Sequence, residues 1–266
     1  MADIHMYIAS TDSTNNLMAR LLRGEEPQYA ACLDEDIPLL YTGYQSSGRG
    51  QTGNGWESER DKNLLLTYLL RLPEVTPAGQ FRLNMLASIV THRTLAAYLP
   101  EQQRERLTIK WPNDIYFDDR KIAGILVENS LSGSRVLHSI AGVGINLNQE
   151  HWVGNAPNPV SLKQITGAET DIHRVMQMFM QMLRFTMKWN ADDCCDYYLQ
   201  HLYRREGYHP FVEREVSTAP TMIATEADTG QFMARIEDIL PTGEIVLCDT
   251  QGNRRTYHFK QIRFVV

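Results

Sequence analysis

Glycine and a single arginine dominate the fourteen residues from Gly43 to Trp56, five of which are glycine. Gly43 to Gly48 has the GxxxxG spacing of a phosphate-binding loop, but Arg49 and Gly50 stand where that motif requires lysine and serine or threonine. We therefore do not expect a P-loop. Accessible backbone N–H groups beside one positively charged arginine predict either a binding site for an anion or a flexible surface loop.

A second polar cluster lies in KWPNDIYFDDRKIAGILVE, residues 110–128. Lys110, Asn113 and Asp114 surround a rigid turn at a proline. Lys121 then begins an apolar strand, which is costly unless its ammonium group meets a counter-charge or extends into water. Gly124, three residues on, favours the first alternative and the approach of a ligand to the strand.

Two shorter stretches complete the set of residues that could do chemistry. In AGVGINLN, Gly142 and Gly144 leave two positions without side chains in a predicted strand that ends at Asn146. These glycines indicate either a ligand against the backbone or a bulge with tight packing. The run Ser13–Asn15 could cap a helix, and the same helix N-terminus could bind an anionic or carbonyl group.

Hydrophobic patterning predicts the elements that position these residues. A helix is predicted after Ser13 up to Gly24, a long amphipathic helix over 79–99, and helices over 171–189 and 192–205. The run 37–47 predicts a short buried strand that leads into the glycine loop, and the run 63–73 a strand buried on both faces. Residues 107–148 predict successive, largely antiparallel strands, and the alternation from Tyr208 onwards predicts a small antiparallel β-domain.

Composition excludes several classes of protein. A length of 266 residues suggests one large domain, or one large and one small. The apolar runs are far shorter than the ~20 residues that span a bilayer, and the N-terminus has no signal-peptide pattern. Four cysteines without a CxxC pair, and no HExxH, favour reduced cytosolic thiols over disulfides or zinc. A formal charge of -6 argues against general nucleic-acid binding, so an anion site must be built locally.

Taken in order, these motifs resemble those of the biotin protein ligases. The series is STN, Q-x-x-GRG-x-x-G-x-x-W, KWPND, K-x-x-GIL and G-x-G-I-N, and it extends from Ser13 to Asn148. The C-terminal β segment resembles the small SH3-like barrel of that family. The resemblance implies an α+β fold: a class II synthetase-like mixed sheet with packed helices, then a small SH3-like β-barrel. We predict a catalytic biotin- and ATP-binding domain over residues 1–207 and the barrel over 208–266.

Members of that family join biotin to ATP as biotinyl-5'-AMP and then transfer biotin to one lysine of a carrier domain. The resemblance therefore implies ATP and biotin as substrates, Mg²⁺, and a biotin carboxyl carrier protein or domain of a carboxylase as partner. It also implies a cytoplasmic location and no nucleic-acid or membrane partner, with no DNA-binding domain before Ser13. A homodimer stays an open alternative to a monomer.

The resemblance also implies roles for individual residues. Lys121 and Arg49 are expected to be catalytic, at the biotin carboxylate and the α-phosphate. Biotin is expected to contact Ser13, Thr14, Asn15, Gln45, Gly48, Arg49, Gly50, Gln51, Lys121, Gly124 and Gly144. ATP is expected to contact Asn54, Trp56, Lys110, Asn113 and Asn146, and Asp114 is the candidate metal ligand.

One departure from the family pattern concerns the glycine loop. Many relatives have GRGRRGR there, whereas Gln51 and Asn54 bring no charge, so we predict a weaker electrostatic hold on the adenylate. The nearest rival function is a lipoate or octanoate ligase, which shares the fold and the adenylate chemistry. KWPND, the GRG loop and the barrel favour biotin. A binding protein without catalysis would not need both Arg49 and Lys121.

Overall fold

The computed structural model describes residues 5–51, 54–72, 75–154, 158–216 and 226–265. Its first part is built on a seven-stranded sheet. The strands are β1 (Met6–Ile8), β2 (Leu39–Thr42), β3 (Leu64–Leu70), β4 (Leu107–Lys110), β5 (Asp114–Phe117), β6 (Arg120–Ser132) and β7 (Arg135–Ile145). Their order is β1-β2-β3-β7-β6-β5-β4. β1 and β2 are parallel and the other neighbouring strands are antiparallel, which confirms the predicted mixed sheet.

Helices cover both faces of this sheet. They are α1 (Thr14–Leu22), α2 (Phe81–Ala96), α3 (Leu162–Thr166), α4 (Ile172–Thr186) and α5 (Ala191–Gln200). The apolar side of α1 packs with Leu40 and Leu69 on one face. α2, α4 and α5 form the core on the other face together with Leu66 and Tyr68. β3 is thus buried on both faces, as its continuous apolar run predicts.

α2 is the element whose surroundings differ from the prediction. The pattern predicts an amphipathic helix, yet its buried residues lie on nearly every side. The physical reason is that α2 lies between other elements, since it contacts α4 and α5 as well as the strands β4 and β6. Its polar Thr91 and Thr94 are accommodated because each hydroxyl donates to the backbone carbonyl four residues earlier. The prediction of a helix is confirmed and that of an exposed polar side is wrong.

A second, five-stranded sheet follows α5. Its strands are β8 (His209–Val216), β9 (Glu226–Ile239), β10 (Ile245–Asp249), β11 (Arg254–Tyr257) and β12 (Ile262–Phe264), in the order β11-β10-β9-β8-β12. All neighbours are antiparallel, as predicted for the C-terminal segment. Gly243 and Gly252, with φ of +101° and +86°, form the turns on either side of β10.

The two sheets share one apolar core. Phe211 and Ile236 of the second sheet belong to the same buried cluster as the residues of α2. The indole Nε1 of Trp111 donates to the carbonyl of Gly243 at 2.9 Å, and a Cβ on Gly243 would lie 2.6 Å from the ring of Phe81. The division at residue 207 stays a prediction. None of the helices in the described ranges is long and apolar enough to cross a bilayer.

Candidate functional site

A cavity of about 570 Å³ lies between the first sheet and the second. Its wall is formed by the start of α1, the glycine loop, the turn between β4 and β5, the strands β6 and β7, and residues 259–264. All but two of the residues predicted for the site line it; the exceptions are Gly48 and Asn146. The volume suits a small-molecule ligand.

The start of α1 is capped by a neighbouring loop. Ser13 occupies the N-cap position, but its side chain makes no capping hydrogen bond. Instead the N–H and the hydroxyl of Thr14 both donate to Oε1 of Gln45, at 2.8 and 3.0 Å. The predicted helix start is confirmed, while the capping side chain comes from the glycine loop. Ser13 is buried and lines the cavity.

Asn15 and Arg49 meet at a residue that sequence analysis missed, Glu128 of β6. Nδ2 of Asn15 donates to Oε2 of Glu128 at 2.8 Å, and Nη2 of Arg49 lies 2.6 Å from Oε1 of the same carboxylate. Nη1 of Arg49 also donates to Oδ1 of Asn16 at 2.6 Å. The arginine of the glycine loop therefore has a protein carboxylate as its partner.

The described part of the glycine loop is a narrow hairpin. The N–H of Trp56 donates to the carbonyl of Gly48 at 2.9 Å, and that of Gly50 to Asn54 at 2.9 Å. A Cβ on Gly48 would overlap the carbonyl oxygen of Trp56, so glycine is needed there. Gln51 donates to Oδ1 of Asn113 at 3.0 Å. Gly53, part of the predicted binding site for an anion, lies outside the described residues.

The strand glycines accommodate protein side chains. Gly124 and Gly144 are opposite each other in β6 and β7, and the indole of Trp56 lies against both. A Cβ on Gly124 would be 2.7 Å from this ring, and one on Gly144 would overlap it. Gly142 makes the same kind of room for the amide of Asn15. At Gly142 and Gly144 the alternative of tight packing describes this structure, since Asn15 and Trp56 fill the space, and Trp56 also lies where we expected a ligand to approach Gly124.

Lys121 has the counter-charge that its position requires. Its Nζ lies 2.7 Å from Oδ1 of Asp114, and only 27% of its side chain is exposed. Its backbone is fixed as well, because its N–H donates to Asn158 at 2.8 Å and its carbonyl accepts from Val160 at 3.0 Å. The alternative in which the ammonium group extends into water does not describe this lysine.

Lys110 is the neighbour of Asp114 across the β4–β5 pair. Its Nζ donates to the hydroxyl of Tyr116 at 2.9 Å and lies 5.5 Å from the centre of the Phe264 ring. Burial lowers the pKa of Lys110 from 10.5 to about 8; the Asp114 carboxylate opposes this shift and the Lys121 cation adds to it. Asp114 therefore lies between two lysines, one of which has a pKa not far above physiological pH.

Asn146, predicted to contact ATP, has a different position. Its side chain is buried, and Nδ2 donates to the carbonyls of Val160 and Lys121 at 3.2 and 3.4 Å. It does not line the cavity. These hydrogen bonds hold the residues after β7 next to Lys121 and Val160. Asn146 therefore stabilises the backbone around Lys121 without lining the cavity.

Cations dominate the cavity wall. They are Arg49, Lys110, Lys121, Arg214, Lys260 and Arg263, and within the described ranges Asp114 is the single carboxylate among the lining residues. The chain as a whole has a formal charge of -6, so positive charge is concentrated here. The cavity therefore favours an anionic ligand.

The contribution of the second sheet to this wall was not predicted. Arg214 and Arg263 both contact Asp228, at 3.2 and 2.7 Å, and residues 259–264 face the turn between β4 and β5. Phe259 packs on Trp111 with ring centres 6.0 Å apart. The alternation of basic and aromatic residues in FKQIRF, 259–264, is the sequence signal that could have pointed to this segment.

The sequence of this chain is similar to those of several known ligases. The sequence model of the biotin/lipoate A/B protein ligase family matches residues 37–146. The bifunctional ligase/repressor BirA of Escherichia coli is 30% identical over 205 residues, covering 76% of this chain and 55% of BirA. The biotin–[acetyl-CoA-carboxylase] ligase of Paracoccus denitrificans is 32% identical over 168 residues, covering 62% of this chain and 65% of that protein. The chain thus matches about half of the length of its first curated relatives.

Solved structures show the same fold. The biotin protein ligase of Aquifex aeolicus in complex with biotin and ATP superposes with a TM-score of 0.66 over 98% of both chains, at 18% identity. The biotin protein ligase of Leishmania major in complex with biotinyl-5-AMP gives 0.61 over 97% of this chain and 100% of that one, at 15% identity. The predicted mixed sheet with a small C-terminal β-domain is thereby confirmed as a fold.

Proposed function

We propose that this chain, which carries a domain of the biotin/lipoate A/B protein ligase family over residues 37–146, is an ATP-dependent biotin protein ligase. It would activate biotin as biotinyl-5'-AMP and transfer it to a lysine of a biotin carboxyl carrier domain. One observation supports this above the others. The same cavity brings the polar side chains of Ser13 and Gln45 together with the cations of Lys110 and Lys121.

In the first step a carboxylate oxygen of biotin attacks the α-phosphorus of ATP, a C–O–P linkage forms and pyrophosphate leaves. Both reactants are anions and repel each other. At an effective dielectric constant of about 20, two unit charges ~4 Å apart interact by roughly 4 kcal/mol. Lys121, whose backbone and ammonium group are already fixed, would offset much of this repulsion without reorganising. Lys110 would add a second cation, and a bound anion would raise the pKa of its ammonium group.

The remaining assignments follow the cavity wall. Biotin would contact Ser13, Thr14, Gln45, Gln51 and the backbone at Gly50. The nucleotide would lie near Asn54, Trp56 and Asn113. Trp56 would move away from Gly124 and Gly144 when the base binds there. In the second step the neutral amine of the carrier lysine attacks the activated carbonyl. An amide bond forms, AMP leaves and the amine loses a proton.

Magnesium enters this proposal with its nucleotide. In the part of the chain that the structure describes, no three His, Cys, Asp or Glu side chains come together as a metal site. Asp114, the candidate metal ligand, is a single carboxylate paired with Lys121, and its contact with a metal stays a prediction. Mg²⁺ would therefore arrive as Mg-ATP, held mainly by phosphate oxygens.

The partner, assembly and location are part of the same proposal. Relatives named biotin–[acetyl-CoA-carboxylase] ligase suggest a carboxylase carrier domain as acceptor. We further propose a catalytic domain over residues 1–207, a β-domain over 208–266, and a cytoplasmic protein that acts as a monomer or a homodimer. We propose no nucleic-acid partner, in keeping with the formal charge of -6, and no membrane partner.

A lipoate or octanoate ligase is the second candidate, because the matching family includes lipoate ligases. Several relatives found by sequence are named biotin ligases, which favours biotin. The test is pyrophosphate release from Mg-ATP by the purified chain, without carrier, in the presence of biotin, lipoate or octanoate. Release with biotin alone is expected. Release with lipoate or octanoate instead would move the chain to the second candidate, and binding of biotin without release would leave a binding protein.

A further inference from the structure

We propose that Glu128 is a positioning residue for the first half-reaction, acting through Arg49 to fix the glycine loop over the cavity. The inference rests on the proposed function for its kinetic consequence. The observation behind it is a polar network that leaves the glycine loop at one residue, passes through the buried start of α1, and returns to the loop at another.

The network is made of six side chains, which we call the anchoring network: Gln45, Thr14, Thr67, Asn15, Glu128 and Arg49. Gln45 Oε1 accepts from Thr14, whose hydroxyl lies 2.8 Å from that of Thr67. The Thr67 hydroxyl lies 2.7 Å from Oδ1 of Asn15, and Nδ2 of Asn15 donates to Glu128 at 2.8 Å. Glu128 then holds Arg49 at 2.6 Å. Gln45 and Arg49 are four residues apart in the same loop.

Both ends of the Asn15 amide are occupied within the protein. Its oxygen faces Thr67, and its two N–H groups face Glu128 at 2.8 Å and the carbonyl of Leu126 at 3.3 Å. Asn15 is buried, and Gly142 leaves the space for its amide. Asn15 lines the cavity, so its predicted contact with biotin stays a prediction, and in this structure its amide also links the start of α1 to β6. Its orientation depends on an acceptor at Glu128.

The carboxylate of Glu128 binds two different side chains, unlike that of a simple surface ion pair. One carboxylate oxygen accepts from the buried amide of Asn15, and the other pairs with Arg49. In Glu128→Gln the amide oxygen can still accept from Asn15, but the NH₂ group carries no charge and would face the guanidinium with donors, so the pairing with Arg49 is lost. Among the described residues Arg49 then keeps the neutral Asn16 as a hydrogen-bond acceptor, and the second anchor of the loop is weakened.

We expect Glu128→Gln to affect biotin binding more than the adenylation step. Lys121 and Asp114 do not belong to the network, so the adenylation step itself keeps its cation. The loop carries Gln45, Gly50 and Gln51, which line the cavity. When the loop is less well fixed in the free protein, ligand binding must order it, and this lowers the free energy gained on binding. We therefore expect a rise in KM for biotin of about fivefold, with kcat within about twofold, from the typical strength of a partly exposed charged pair.

The experiment is a double-mutant cycle with Glu128→Gln, Arg49→Gln and the double variant, assayed by biotin-dependent pyrophosphate release. Glu25→Gln is the matched control, since Glu25 pairs with Arg23 on the exposed end of α1, away from the cavity. If Glu128 acts through Arg49, adding Glu128→Gln to Arg49→Gln changes KM by less than twofold. An unchanged KM in Glu128→Gln, or a full fivefold effect in the Arg49→Gln background, overturns the inference.

Hydrogen exchange separates this inference from the proposed function. The N–H groups of Gly50 and Trp56, both bonded within the loop, are expected to exchange at least about threefold faster in Glu128→Gln than in the wild type and in Glu25→Gln. Equal protection in all three proteins contradicts the anchoring role whatever the enzyme does. Loss of protection in a chain that releases no pyrophosphate with any acid would support the anchor and reject the ligase.

Discussion

Replacing Lys110 by methionine is expected to stabilise the protein at neutral pH while weakening its use of ATP. The ammonium group lies among Tyr116, Phe264 and the Asp114–Lys121 pair, and burial lowers its pKa from 10.5 to about 8. At pH 7 the group is charged both in the folded protein and in the unfolded chain. The folded protein therefore carries a desolvation cost that methionine, with a similar unbranched stem, does not have.

The magnitude follows from the two pKa values. The difference between 10.5 and about 8 corresponds to about 3 kcal/mol for the charged form. Removing the ammonium group leaves the hydroxyl of Tyr116 without its donor, at a cost of about 1 kcal/mol. The side chain of Lys110 also keeps some contact with water, which reduces the gain. We expect the free energy of unfolding to rise by about 1–2 kcal/mol at pH 7.

The gain has a defined pH dependence. Because the pKa of Lys110 is lower in the folded state, the cost is fully present below pH 8 and disappears as the pH rises from about 8 to 10.5. Urea unfolding at pH 7 and pH 10 measures it, with Lys188→Met at an exposed position as the control, expected to change stability by less than about 0.5 kcal/mol. In the same variant we expect KM for ATP to rise about tenfold, from the loss of one partly buried cation. A destabilised variant, or a gain equal at both pH values, would refute the reasoning.

Two further predictions concern the glycine loop and the surface beneath it. Gln51→Arg is expected to slow the release of biotinyl-5'-AMP in the absence of carrier by about threefold to tenfold, since it adds a cation to the cavity wall; an unchanged release rate contradicts the weak-hold hypothesis. Gly144→Ala would place a methyl group on the ring of Trp56, so we expect a loss of about 1–3 kcal/mol in unfolding free energy and an altered Trp fluorescence. Gly230→Ala, where a Cβ would meet no atom within 4 Å, is its control, and equal effects would reject the packing argument.

Much of the fold could be predicted because the signals are local. β3 is a run of seven buried residues, and in α4 Val175, Met176 and Phe179 recur at helical spacing. α3 was missed although Ser161 and Gln164 form a capping box, because the helix has only five residues and hardly any periodicity. The polar side predicted for α2 failed because its burial depends on helices much further along the chain.

Sequence motifs predict most of the residues of the site, but not the contacts that these residues make with one another. The motifs indicate Arg49, Asn15 and Lys121, but not which carboxylate each one meets. Asp114 reaches Lys121 across the β5–β6 pair, whereas Glu128 meets Arg49 and Asn15 because the glycine loop and α1 pack against β6. A glycine in a strand shows that something approaches the backbone, without identifying it. At Gly144 that group is Trp56. The cations of the second sheet lie outside these motifs. The segment FKQIRF is basic and aromatic, but the packing of the two sheets is what shows that it reaches the cavity.

The most direct test of the account is single-turnover formation of biotinyl-5'-AMP by Lys121→Ala. The variant is mixed with Mg-ATP and biotin without carrier, and the adenylate is detected by mass spectrometry together with released pyrophosphate. Wild type and Lys188→Ala are expected to form about one adenylate per active site, and Lys121→Ala to form it at least ~100-fold more slowly with an unchanged circular dichroism spectrum. Near-normal adenylate formation in Lys121→Ala would contradict the central claim that this lysine, held by Asp114, makes the attack of one anion on another feasible.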